Sequence, residues 1–141
     1  MGLSIARRTG VAGLALACVL LGACGGGSDE EQIETVVRDA LDSFVEKDPA
    51  KFVGLFSEEC ELTEEKVAGD FESLEGSELQ VEVTDVVVRN LEDDTAEASA
   101  EGSVTVDGQE VPLSQIAPGG QEFLSLVKED GNWKIADCPE G

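Results

Sequence analysis

From Ile33 the apolar residues Val36, Val37, Ala40, Leu41, Phe44 and Val45 return at intervals of three and four. That spacing puts them on one face of a helix and the charges on the other. Ser28-Asp29-Glu30-Glu31 precedes the stripe. It has the form of a capping box, in which the Ser oxygen and the Glu carboxylate each take one of the free N–H groups of the first turn. Asp48-Pro49 ends this helix and begins a second, with Asp48 as N-cap and Pro49 at the first helical position. Phe52, Val53, Leu55 and Phe56 supply its apolar side. Thr63 caps a third helix from Glu64 to about Leu74, and Leu62 and Val67 fit a hydrophobic staple across its start. Glu75-Gly76-Ser77 ends it.

From Leu79 the period changes to two, which marks strands. Leu79, Val81 and Val83 alternate with Gln80, Glu82 and Thr84. Val86-Val87-Val88 then breaks the phase, so a bulge is expected near Thr84-Asp85. Asn90 to Asp94 is a polar turn. Ala96, Ala98, Ala100, Gly102, Val104 and Val106 form the next alternating set, and its first members are very small. Small side chains there leave room either for a closely packed helix or for a cavity. Asp107-Gly108 is a two-residue hairpin turn, and Gln109 to Leu113 returns from it. Pro118-Gly119-Gly120 is a loop, Gln121 to Lys128 a further strand, and Asp130-Gly131 a turn into Asn132 to Cys138. Together these elements make an α+β domain. Three N-terminal helices pack on a curved antiparallel sheet of four to five strands, with no internal repeat.

The N-terminus follows another plan. Arg7 and Arg8 precede an apolar run from Val11 to Leu21, too short for the ~20 residues that span a bilayer. The run ends in Leu21-Gly22-Ala23-Cys24, which resembles the lipobox of bacterial lipoproteins. The resemblance implies a signal peptide at 1–23, cleavage before Cys24 and a diacylglyceryl group on the Cys24 thiol. Ala15-Leu16-Ala17-Cys18 is a rival box that truncates the apolar run, and plain secretion with Cys24 as a bystander is the bland alternative. Cys24 and Gly25-Gly26-Gly27-Ser28 then form a short flexible tether at 24–28. The domain occupies 29–141, lipid-anchored on the outer face of the cell membrane.

Composition narrows the chemistry. The 141 residues carry 9 Lys and Arg against 31 Asp and Glu, a formal charge of −22. Loss of Arg7 and Arg8 with the signal peptide leaves 7 against 31, or −24. Nucleic acid is excluded as a partner, because phosphates need Lys and Arg to neutralise them. Anionic headgroups should repel the domain, so the lipid alone attaches it. Glu58-Glu59 and Glu92-Asp93-Asp94 lack the spacing of a calcium loop and read as solvated surface. No phosphate-cradling glycine motif, cofactor or metal site is indicated. The chain has no His and no Tyr, which removes most acid–base and zinc-ligand chemistry. Of four cysteines, Cys18 leaves with the signal and Cys24 carries lipid. Cys60 and Cys138 remain in an oxidising exterior and pair as a disulfide. In the chain-entropy description that closure is worth about 4–5 kcal/mol, less any strain.

The ending Glu129-Asp130-Gly131-Asn132-Trp133-Lys134-Ile135 is similar to the last hairpin, DG-x-W-x-I, of the nuclear transport factor 2-like (cystatin-like) superfamily. Val36 to Leu41 followed by Lys47-Asp48-Pro49-Ala50 resembles that superfamily's opening helices. More narrowly, the chain looks like small lipoproteins of Gram-positive, actinobacterial-type bacteria that carry a lumazine-binding domain. The resemblance covers Asp29 to Asp137 and implies a cone with a pocket at its open end. Its members include enzymes, ligand binders and dimerisation modules, so fold does not fix function. The isomerase branch uses a carboxylate base with Tyr, and dehydratase-like members use His, so both sets are incomplete here. Asp85 is the one catalytic candidate, provided the strand keeps its phase and turns Asp85 inward. Phe44, Phe52, Phe56, Phe71 and Trp133 either line a pocket or fill a core. Three functions follow: a non-enzymatic binder of a small apolar ligand or cell-envelope protein, a homodimeric assembly module, or a carboxylate enzyme. The second would use an outer sheet face with Val86, Val88, Leu124 and Leu126.

Overall fold

A computed structural model describes residues 27–116 and 121–139. The segment 1–23, expected to be a signal peptide, and Cys24, expected to carry the lipid, lie outside the described residues. Helix α1 runs from Asp29 to Glu46, α2 from Pro49 to Gly54 and α3 from Glu64 to Glu72. The capping box forms, with Ser28 Oγ accepting from Glu31 N–H at 3.3 Å and Glu31 accepting from Ser28 N–H at 3.1 Å. Asp48 accepts from Lys51 N–H, and Thr63 accepts from Lys66 N–H. The third helix stops two residues short of expectation, in turns that end at Gly76.

Strands β1 (Leu79–Arg89), β2 (Thr95–Val106), β3 (Gln109–Pro112), β4 (Leu124–Glu129) and β5 (Asn132–Ile135) form one antiparallel sheet. Its order is β1-β2-β4-β5, with β3 also paired to β2. The turns into β3 and β5 hold Asp107-Gly108 and Asp130-Gly131 at positive φ, as two-residue hairpins require. The expected bulge is present, since the β1–β2 register shifts between Val83 and Asp85. Opposite it stands Gly102, at φ +141°. A Cβ there would lie 1.9 Å from the Glu82 carbonyl oxygen, so only glycine fits. The bulge moves the inward phase from Leu79, Val81 and Val83 to Val86 and Val88. Asp85 therefore points to solvent and bonds only its neighbour's Val86 N–H among the described contacts.

The shift corrects one expectation. Val86, Val88 and Leu124 pack against the core, and Leu126 is 1% exposed. All four lie on the inner face, so they form no outer dimerisation surface. A second correction concerns β4, which begins at Leu124 rather than Gln121. Its pairing with β2 ends at Ala98–Leu124, and among the described residues no strand pairs with Gln121–Phe123.

α1 lies across the inner face. Ile33 and Val37 bury against Ala96, Ala98, Leu126, Trp133 and Ile135. Ala96 and Ala98 bring no bulk, which lets the helix approach the sheet. Trp133 Nε1 and Lys128 Nζ both donate to Asp29 Oδ1, at 3.1 and 2.8 Å, fastening the helix start to β4 and β5. The segment Leu55–Ser57 runs parallel to β5: Ile135 N–H donates to Leu55 and Ser57 N–H to Ile135. That pairing covers the sheet's β5 edge. Cys60 is bonded to Cys138, which ties the end of the chain to the helical side. The domain thus carries its own core.

Candidate functional site

β2 is longer than its partners on one edge. β4 pairs with Thr95–Ala98, and β3 pairs with Ser103–Val106. Among the described residues, no strand pairs with Ser99–Gly102 on that edge. The sheet is split there, and a cavity of about 360 Å³ opens beside the split. Its inner wall is the second half of α1, with Val37, Ala40, Leu41 and Phe44. Phe52 of α2, Phe56 and Ile135 close one side, and Ala100, Val104 and Val106 of β2 form the floor. Leu113, Ser114 and Ile116, from the 3-10 turn after β3, line it together with Glu122 and Leu124 on the β4 side. Pro139, next to the disulfide, completes the lining.

A volume in this range, bounded by apolar side chains with a few polar atoms, suits a small organic molecule. Each 100 Å² of apolar ligand surface removed from water there gains about 2.5 kcal/mol before the costs of association. Glu122 is the one charged side chain among the described lining residues, and it is exposed. No helix among the described residues is long and apolar enough to cross a membrane. Among those residues, no group of three or more His, Cys, Asp or Glu is placed to hold a metal.

The predicted aromatics divide. Phe44, Phe52 and Phe56 line the cavity. Phe71 lines only a smaller neighbouring space of about 170 Å³, with Lys66 and Asp70, where its ring meets Phe44 and Phe52 edge-on. Trp133 lines neither. It is 2% exposed and belongs to the core at the start of α1, where its indole N–H is needed by Asp29. Asp85 is exposed on the outer side of the bulge and is not among the lining residues. Sequence reasoning missed the aliphatic wall. The small residue Ala100 was a visible sign of it, whereas Leu113 and Ile116 enter only because β3 and β4 part.

Two carboxylates away from the cavity are perturbed. Hydrogen bonds from Lys128 and then Trp133 hold Asp29 below its ordinary 3.8, with the Lys128 charge adding to them and burial opposing. Glu97 is likewise lowered, by hydrogen bonds from Asn90 and then Arg89. Asp29 sits where the start of α1 is fastened to β4 and β5, and Glu97 where β1 meets β2, so each shift has a structural cause.

No family model matches the chain, and no curated protein matches it. Solved structures do. A protein from the nuclear transport factor 2-like family of Streptomyces avermitilis, provisionally assigned as a dehydratase, aligns at TM-score 0.54 and 15% identity, over 76% of this chain and 90% of that one. A domain of unknown function with a cystatin-like fold from Nostoc punctiforme aligns at TM-score 0.51 and 21% identity, over 76% of this chain and 72% of that one. A provisionally assigned calcium/calmodulin dependent protein kinase II association domain from Xanthomonas campestris aligns at 0.52 and 14%, over 93% and 92%. Identities this low establish the fold alone. The chain has the nuclear transport factor 2-like, cystatin-like architecture.

Proposed function

We propose that this protein is a membrane-anchored, extracytoplasmic lipoprotein whose domain binds a small apolar ligand without transforming it. The cavity beside the split in the sheet carries the reading: it is apolar, of ligand size, and open. The absence of His and Tyr from the sequence, and the exposure of Asp85, favour binding over catalysis. The anchor rests on the Leu21-Gly22-Ala23-Cys24 box, and the Cys60–Cys138 bond suits an oxidising exterior.

Native mass spectrometry of the protein purified gently from its host tests the binding. An extra mass that is lost on denaturation supports it, and a bare mass in every preparation overturns it. The mass of the N-terminal peptide tests the anchor separately. A diacylglyceryl adduct on Cys24 supports it, and an unmodified Cys24 refutes it.

A further inference from the structure

We infer that the cavity selects an uncharged, largely apolar molecule and refuses anions, carboxylates included. This rests on the binding reading above. Among the described lining residues there is no Lys, Arg or His, and Glu122 is the one charged side chain. Positions 117–120 and 140–141, which adjoin the lining residues in sequence, carry no Lys or Arg either. Lys66 lines only the smaller space, beside Asp70, and Phe44, Phe52 and Pro139 stand between the two. A carboxylate entering the cavity would lose its water and find no cation to replace it. It would also meet the exposed carboxylate of Glu122 in the lining, on a chain of formal charge −22. Ser114 and the polar atoms that Ser99 contributes to the lining can serve a neutral polar group such as an alcohol, ketone or amide.

Two dyes of one ring frame separate these effects. N-phenyl-1-naphthylamine is neutral, and 8-anilino-1-naphthalenesulfonate adds a sulfonate to the same frame. Fluorescence titration of the domain, residues 27–141, is run in about 1 M NaCl, where the screening length falls to about 3 Å and long-range repulsion is suppressed. The expected result is binding of the neutral dye, with the sulfonate at least tenfold weaker. Both signals should fall with Ala100→Leu, which puts bulk into the cavity floor. Equal affinities for the two dyes, with Ala100→Leu weakening both, would overturn the selectivity and leave the binding site standing. No binding of either dye, or binding indifferent to Ala100→Leu, would overturn the binding reading with it.

Discussion

Replacing Ala100 by Leu tests whether the split in the sheet encloses usable space. Ala100 faces inward opposite Val86 and lines the cavity. Leucine adds three carbon atoms. Fully buried, they contribute about 2.4 kcal/mol at about 0.8 kcal/mol per carbon. Ordering the longer side chain costs roughly 0.5–1 kcal/mol, so about 1.5 kcal/mol remains. In a domain of this size that raises Tm by roughly 4 °C or more. Urea denaturation and calorimetry, read beside neutral-dye affinity, give the answer. The expected outcome is a more stable protein that binds the dye at least several-fold more weakly. A filled interior gives the opposite sign, because overpacking costs about 1–3 kcal/mol. A fall in Tm with unchanged dye affinity would therefore refute the cavity.

Three further substitutions probe the frame. Gly102→Ala meets the Glu82 carbonyl at 1.9 Å and should lower stability by about 2 kcal/mol or more, measured by urea midpoint. The double change Cys60→Ser with Cys138→Ser should cost up to about 4–5 kcal/mol, and reductant should then have no further effect on the variant. Asp29→Asn should weaken the domain at neutral pH. The carboxyl is lowered in the folded state, so its contribution is present above the ordinary 3.8 and is lost as pH falls through the folded value. The stability gap between wild type and D29N should close on acidification below about pH 4, and a constant gap would show that the carboxylate charge is not what matters.

Much of this architecture is legible in residue order, because local chemistry and tertiary packing agree. The stripe from Ile33 to Val45, the Ser28 and Thr63 caps and the Asp48-Pro49 break each describe a local event, and each forms as written. The bulge is legible as a phase break in a run of valines, and Gly102 confirms it across the ladder. Its consequence for Val86 and Val88 is harder to see, since one extra residue reverses the facing of every later side chain. Trp133 illustrates another limit. A large aromatic suits a pocket or a core equally well in sequence, and its place is decided by Asp29, 104 positions away, which takes its N–H. The cavity itself follows from where β3 and β4 stop along β2, a property of pairing that no single stretch of sequence states.

Glu122 gives a reason for that stopping point. If the β2–β4 ladder continued beyond Ala98–Leu124, antiparallel register would place Phe123 opposite Ser99 and Glu122 opposite Ala100. Leu124 and Leu126 face the interior, so the period of two would turn Glu122 inward as well. A carboxylate would then be pressed between apolar walls with no cation among the described lining residues, at a cost exceeding what two more ladder hydrogen bonds return. An inward charge at the end of a strand is a known way to halt pairing. Glu122→Val removes that barrier and supplies a β-branched residue suited to a strand. The expected outcome is a longer β4, read as slower amide exchange across Ser99–Gly102, together with weaker binding of the neutral dye as the split closes. Unchanged exchange at those amides, with dye affinity intact, would show that the gap is held open by something other than this charge.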